Sequence, residues 1–311
     1  MRNFLITGAA GFIPGALAET LLEDKNNFVV GVDNFLTGTR RNLPKADNFR
    51  FIKVDVNRSD DLGAVMLSYR FDYVFHYAAV VGVSRTLENP LLVLEDIKGI
   101  RNILHLSKNT GVRRFFFSSS SEVYGEPVEI PQNEHTTPLN SKLPYAIVKN
   151  VAEAFIKSYH KEHGLEYTIF RFFNTYGPRQ SADFVLSKFI CAALRNEDIT
   201  VFGDGTQTRT FCYIDDNVTA TVNSLSEASS LNEVINLGSD QEITIVELAR
   251  KVIAATGSQS KIVHLPPLVE GDMRRRCPDN SRMRRLLKRD LLPLDEGLAR
   301  TIVAKRREFI G

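Results

Sequence analysis

Cysteine is scarce in this chain. The three residues, Cys191, Cys212 and Cys277, lie far apart and show neither a disulfide framework nor metal-ligand spacing. A reducing compartment is the simplest reading. No sign of charge dominates either. Thirty-nine Lys and Arg against 37 Asp and Glu leave a formal net charge of +2, so composition makes no case for nucleic acid or a membrane surface as partner. No apolar run is long enough to span a bilayer. The opening Met-Arg-Asn-Phe-Leu-Ile-Thr-Gly runs into a strand pattern without a signal peptide. The expectation is a soluble, cytoplasmic protein. Internal repeats and low-complexity linkers are absent as well. What remains is 311 residues with 43% apolar content, enough for a sizeable core in one large domain or two smaller ones.

The first half alternates short apolar runs with helical patterns. Phe4-Leu-Ile, Phe28-Val-Val-Gly-Val, Phe51-Ile-Lys-Val, Tyr73-Val-Phe and Arg114-Phe-Phe-Phe read as strands, and Tyr167-Thr-Ile-Phe-Arg-Phe as a sixth. Helices are expected near 12–24, 60–69, 90–109 and 145–163. Such alternation predicts an α/β fold with a parallel sheet. After Gly177-Pro178 the segments shorten, with turn chemistry at Gly203-Asp204-Gly205 and Leu265-Pro-Pro. The reading is a domain over 1–173 and a smaller mixed α/β lobe over 174–311, partly interleaved with it. The basic run of Arg274, Arg275, Arg276, Arg282, Arg284, Arg285, Lys288 and Arg289 reads mainly as a solvated face.

Several motifs carry chemistry. Thr7-Gly8-Ala9-Ala10-Gly11-Phe12-Ile13-Pro14-Gly15 follows the first strand and opens a helix. Glycines there let backbone approach a pyrophosphate, which the helix N-terminus attracts. The third glycine of the usual spacing is displaced by Pro14, a residue the first helical turn tolerates. Asp33 ends the second strand, where a carboxylate can accept the ribose hydroxyls of NAD and repel a 2′-phosphate. Its neighbours Asn34 and Phe35 are not basic, so NAD is favoured over NADP. Asp55, with Val56 beside it, is placed for the adenine edge. The small Ala78 and Ala79 suit close cofactor approach, whereas His76 reads as a satisfied structural histidine. Tyr145 and Lys149 are four apart at the start of a helix, so phenol and ammonium share a face. A cation nearby favours the phenolate, which makes the pair a candidate base for an alcohol proton.

In this order the motifs resemble the extended short-chain dehydrogenase/reductase family that modifies nucleotide sugars. The resemblance covers nearly the whole length. It is carried also by Ser118-Ser-Ser-Ser-Glu-Val-Tyr-Gly125, Arg171-Phe-Phe-Asn-Thr-Tyr-Gly-Pro-Arg179, Gly203-Asp-Gly-Thr-Gln-Thr-Arg-Thr-Phe211 and Tyr213-Ile-Asp-Asp216. It implies a Rossmann-type doubly wound sheet, bound NAD that is reduced and reoxidised within one cycle, and a sugar oxidised at C4. Ser120 is implied to help pass the hydroxyl proton to Tyr145, and Lys149 to bind the nicotinamide ribose. Asn174 is implied to contact the sugar-diphosphate. Ile199-Thr-Val201-Phe202 resembles a uracil-lining strand, and Arg209 and Arg276 resemble pyrophosphate contacts; a planar guanidinium fork suits phosphate.

Glu122 discriminates among the family's reactions. Enzymes acting beyond the 4-keto sugar place a carboxylate there, and Ser-Glu-Val-Tyr-Gly looks like UDP-glucuronate decarboxylase, which gives UDP-xylose. A nucleotide-sugar 4-epimerase and then a hexose 4,6-dehydratase are the alternatives. A non-catalytic NAD-binding sensor is the alternative of another class, disfavoured by the presence of Tyr145, Lys149 and Ser120. Two features depart from the decarboxylase pattern. Val81-Gly-Val-Ser-Arg85 stands where decarboxylases carry Pro-Pro-x-Tyr, and Asp96 stands where the family usually offers Asn to the cofactor side. Arg85 is open to a substrate carboxylate or phosphate as much as to solvent. The resemblance further implies a homodimer built from two helices per subunit, for which the stripe 91–106 and Phe155, Ile156 and Tyr159 are candidates.

Overall fold

The computed structural model describes residues 1–267 and 273–310. Six parallel strands appear where the apolar runs predict them: β1 (Arg2–Thr7), β2 (Asn27–Asp33), β3 (Phe49–Lys53), β4 (Tyr73–His76), β5 (Arg114–Ser120) and β6 (Glu166–Phe172). β1, β2 and β5 are buried almost throughout, as strands covered on both faces must be. A seventh strand, Glu233–Leu237, extends the sheet beside β6, pairing Glu233 with Thr168 and Leu237 with Phe172. The order across the sheet is β3-β2-β1-β4-β5-β6 and then Glu233–Leu237, a Rossmann-type arrangement. The order reverses between β1 and β4, and the crevice beyond their carboxyl ends is where such sheets bind ligands.

Two apolar cores fill the faces. On one side α1 (Phe12–Glu23) buries Leu17, Leu21 and Leu22 with Phe4, Ile6 and Phe75. On the other, α2 (Ser59–Ser68) joins Leu5, Val30 and Phe115. The helix expected over 90–109 is broken. After α3 (Val83–Glu88), α4 (Pro90–Leu94) and α5 (Asp96–Asn109) are separated at Glu95, where the Asp96 carboxylate turns to accept the Val80 N–H. Ile100, Ile103 and Leu104 face the core, whereas Leu91, Leu92 and Leu94 are exposed. α6 (Pro144–His163) carries Val148, Ala152 and Ile156 into the same core. Its end shows why it stops: Gly164 takes a left-handed conformation and its N–H caps the His160 carbonyl.

The rest of the chain supplies α7 (Val185–Leu194), α8 (Ile214–Asn223), α9 (Ile245–Thr256), α10 (Ser281–Leu287), α11 (Leu294–Ile310) and three two-stranded pairings. α8 packs on α1 and α10, and one pairing joins Ile199–Phe202 to Ile262–Leu265. No helix among the described residues is long and apolar enough to cross a membrane. Among the described residues no His, Cys, Asp and Glu cluster is suited to a metal ion. The basic run is mainly a solvated face, and Arg276, 4% exposed, is its exception. Arg275, Arg282, Arg284 and Arg289 pair with Glu242, Glu233, Asp240 and Asp216.

Candidate active site

A cavity of about 780 Å³ runs along the carboxyl ends of the strands. At one end lie Gly8, Gly11, Phe12 and Ile13, with Asp33, Asn34, Asp55 and Val56 beside them; Ala78 and Ala79 line it farther on. At the other end are Ser120, Glu122, Tyr145, Lys149, Asn174 and Arg276. Two predicted substrate residues do not line it. Val201 is 1% exposed within the apolar core, and Arg209 is buried with Nη1 donating to the Thr208 carbonyl at 2.7 Å.

The glycine end is built for an anion. Gly8 has φ +72°, and a Cβ there would stand 2.8 Å from the Ala78 nitrogen, so only glycine brings this turn against the strand end. Gly11 caps α1, whose first turn holds no acidic residue and no side-chain cap. The leading amides of a helix have no intrahelical partner, and those of Phe12 and Ile13 lie at the cavity wall. Pro14, buried in the first turn, removes no amide bond the helix needs. Asp33 accepts the Ala10 N–H at 3.0 Å and the Phe35 N–H at 2.6 Å, and burial pushes its carboxyl above the usual range. Asp55 accepts from Asn34 Nδ2 at 3.2 Å and from the Asn57 N–H at 2.9 Å. The leading turn of α1, a ribose-placed carboxylate and a small-residue wall fit NAD. His76 is closed off from the chemistry. Its Nδ1 lies 2.8 Å from Thr7 Oγ1, and burial drives its pKa down to about 3.

At the other end β5 and α6 converge. Ser120 closes β5 and caps a short 3-10 turn, Ser121–Tyr124, its hydroxyl accepting the Glu122 N–H at 3.2 Å. Tyr145 and Lys149 stand one turn apart on α6. The ammonium is 4% exposed, donates to the Ser118 carbonyl at 2.6 Å and lies 4.7 Å from the Phe117 ring centroid. Burial lowers its pKa to about 8, while Asp96 and then Glu153 pull it upward. The phenol corrects the sequence reading. Burial, then Glu122, push it above its ordinary value; a hydrogen bond with Ser120 opposes them and Asp96 adds to them. The Lys149 ammonium sits 5.7 Å from the phenol ring centroid and spends a donor on the Ser118 carbonyl.

Glu122 meets Arg276, Nη1 donating to Oε1 at 2.8 Å. The guanidinium also reaches Ser121 Oγ at 3.3 Å and Met273 Sδ at 3.1 Å. Among the described residues, Glu122 Oε2 and Arg276 Nε are nonetheless buried without a hydrogen-bond partner. An acceptor and a donor are thus left for another group beside Tyr145. Asn174, at φ 26°, donates from Nδ2 to the Thr210 carbonyl at 3.0 Å. The wall contains residues that the sequence did not single out, Arg179, Gln180 and Lys305 among them. Lys305 comes from α11, 125 positions after its partner Gln180, so no local spacing announces it. Arg85 donates to the Val81 carbonyl at 2.6 Å and stands 3.7 Å from Asp183 across the cavity mouth.

The chain matches the NAD dependent epimerase/dehydratase family over residues 4–238. It is 36% identical to UDP-glucuronic acid decarboxylase 1 of Danio rerio, across 99% of this chain and 73% of that protein. The solved UDP-glucose 4-epimerase of Thermotoga maritima, bound to UDP-glucose, superposes with a TM-score of 0.93 at 31% identity, covering 99% of this chain and 100% of that one. The UDP-glucuronic acid 4-epimerase of Bacillus cereus, solved with UDP-glucuronic acid and NAD, gives 0.90 at 30% identity, covering 99% and 100%. With its parallel sheet, glycine turn and cavity, the chain belongs to the NAD dependent epimerase/dehydratase family.

Proposed function

We propose that the protein decarboxylates UDP-glucuronate to UDP-xylose through a 4-keto sugar. The observation that carries this reading is the Glu122–Arg276 pair beside Tyr145, with one buried atom of each residue left unpartnered among the described residues. NAD, when bound, supplies the hydride acceptor at C4 and later the donor. Gly8, Gly11, Phe12 and Ile13 would hold its pyrophosphate and Asp33 its adenosine ribose, with Asn34, Asp55 and Val56 near the adenine and Ala78 and Ala79 along the chain. Tyr145 takes the C4 hydroxyl proton through its Ser120 contact, and Lys149 keeps a positive charge in the buried wall. The ketone turns the uronate into a β-keto acid, and breaking its C5–C6 bond releases CO2. C5 then needs a proton, and a carboxyl group at Glu122 is suited to supply or relay one. Arg276 holds that carboxylate in place and presents Nε to the substrate. Asn174 would meet the diphosphate.

Residues 1–173 are assigned to the cofactor and most of 174–311 to the nucleotide sugar, with Glu233–Leu237 returning to the sheet. Neither Val201 nor Arg209 is placed at the base or pyrophosphate without movement of the second lobe. A homodimer through α4 and α6 is also proposed, because Leu91 is 78% exposed and Ile147 41%; light scattering tests it.

The second reading is 4-epimerisation. It is favoured by the Val81–Arg85 loop and by the solved 4-epimerases with TM-scores of 0.90 and above. The test is incubation with NAD and UDP-glucuronate, then with UDP-glucose, read by mass and proton NMR. CO2 and UDP-xylose are expected. UDP-galacturonate or UDP-galactose would establish the epimerase reading instead, and a 4-keto-6-deoxy product the dehydratase. Tyr145→Phe that binds NAD and leaves every cellular role of the protein intact would return the non-catalytic sensor.

A further inference from the structure

Asp96 opens α5 on the wall of the cavity that holds Lys149, Tyr145 and Asp55. Its Oδ2 accepts the Val80 N–H at 2.8 Å, immediately after the Ala78–Ala79 wall. Among the described residues no hydrogen bond or ion pair engages its other oxygen. A second carboxylate, Glu153, also bears on Lys149, but its two oxygens accept from Arg171 at 3.0 and 2.7 Å. Glu153 is therefore neutralised within the core. Of the two carboxylates that bear on Lys149, Asp96 is the one whose charge stands open to the cavity, and it is the larger cause that holds the ammonium protonated against burial.

We propose that Asp96 sets the redox preference of the bound cofactor, its negative charge favouring NAD+ over NADH. The two forms differ by one positive charge on the nicotinamide ring. A cavity wall of low polarity transmits that difference more strongly than water does. The ring would belong to the Tyr145–Lys149 end, opposite Asp33, where the Asp96 carboxylate lines the cavity with no ion pair among the described residues. Asparagine at this position would accept the Val80 N–H equally well and carry no charge. The substitution Asp96→Asn therefore separates charge from architecture. The inference rests on NAD occupying the cavity, not on which sugar reaction follows.

Other charges face Asp96: Lys149 and Tyr145 from α6, and Asp55 from the loop after β3. Burial, opposed by the Val80 N–H and Lys149 and aided by Asp55, moves the Asp96 pKa up to about 6. Lys149, at about 8, and the raised phenol of Tyr145 both keep their protons between pH 7 and pH 5.

The experiment measures NAD+ and NADH dissociation constants of the whole chain, by calorimetry and NADH fluorescence. In Asp96→Asn the preference for NAD+ over NADH is expected to fall by about tenfold, or about 1.4 kcal/mol. For a two-electron couple this raises the bound cofactor's potential by about 30 mV. The same substitution in a Lys149→Met background should act in the same direction, which excludes an answer by proton loss from the ammonium. Wild-type protein should show the fall between pH 7 and pH 5 without any substitution, and this arm stands even where the variants fail to fold. A ratio within twofold of wild type in the variants, a parallel loss of both affinities, or a flat wild-type ratio overturns the inference. Retained NAD+ binding with an unchanged ratio does so while leaving the proposed decarboxylation standing. A shifted ratio without UDP-xylose supports Asp96 and removes the decarboxylation.

Discussion

Glu153→Gln should destabilise the fold severely although it lies outside the reacting groups. Glu153 and Arg171 are each about 2% exposed at the side chain. The carboxylate accepts Arg171 Nε at 3.0 Å and Nη2 at 2.7 Å, and the Ser119 hydroxyl at 2.6 Å. Arg171 also donates to Tyr124 Oη at 2.8 Å, so one side chain ties α6, β5, β6 and the 3-10 turn together. An amide cannot balance the guanidinium, and breaking a buried pair from one side costs roughly 3–5 kcal/mol. A chain of 311 residues unfolds with an entropy of about 0.65 kcal/mol/K near its midpoint, so the expected fall in Tm is roughly 5–8 °C. Circular dichroism melts and urea titrations measure it. The double variant Glu153→Leu with Arg171→Met removes both charges together. It should recover much of the loss, because an apolar pair of similar volume often matches a buried ion pair. A fall below about 2 °C for Glu153→Gln, against the several degrees that scale predicts, would refute the reasoning. So would a double variant no better than the single.

Glu122→Gln should spare the first hydride transfer, seen as NADH absorbance on adding UDP-glucuronate, and slow product release of CO2 and UDP-xylose by about 10²-fold or more. Equal loss of both steps would remove Glu122 from the later chemistry. Gly8→Ala places a Cβ 2.8 Å from the Ala78 nitrogen at φ +72°; NAD affinity should fall by at least about tenfold, with a fold cost of about 1–2 kcal/mol for the left-handed residue. Calorimetry with NAD+ and a thermal melt separate the two effects. His76 gives a pH prediction. Its pKa is about 3 in the fold against about 6.5 unfolded. Between these values the unfolded chain binds a proton that the folded one refuses, so this contribution to stability is lost as pH falls through 6.5. At pH 5 it amounts to about 2 kcal/mol, and urea titrations at pH 8 and pH 5 should show His76→Asn losing that much less than wild type. Asp96, whose raised pKa has the opposite sign, is common to both proteins and cancels.

The sheet was legible because its strands are buried on both faces and read as short apolar runs broken by helical periods. Glu233–Leu237 escaped because five residues in a mixed region carry too little pattern, and only pairing with β6 makes them a strand. The helix over 90–109 kept its stripe but not its continuity, since a contact from Asp96 to Val80 interrupts it and no periodicity records a side chain reaching another segment. At the site, local spacing brought Tyr145 to Lys149 and Ser120 to Glu122. The partner of Glu122 lies 154 positions away, and the choice among Arg274, Arg275 and Arg276 is decided by burial rather than spacing. The raised phenol was illegible for the same reason. Four residues of separation place the ammonium on the right face, but whether it turns to the phenol or to the Ser118 carbonyl depends on β5.

These long-range pairings give the catalytic end its logic of charge. Glu153 is matched by Arg171 in full. Glu122 is matched by Arg276 through one oxygen, which leaves the other directed to chemistry. Asp96 faces Lys149 without closing on it. On the proposed reading, the degree of pairing grades three carboxylates around α6 from architecture to reaction to cofactor charge. Burial and two anions, Glu122 and Asp96, raise the Tyr145 phenol against its Ser120 hydrogen bond. On the proposed reaction, a phenolate at this position would draw stability from Lys149 and, when NAD+ is bound, from its positive ring. Proton abstraction would then be coupled to the oxidised cofactor. An enzyme that must oxidise and then reduce the same carbon gains direction from this coupling, because each half-reaction prepares the protonation state that the next one needs.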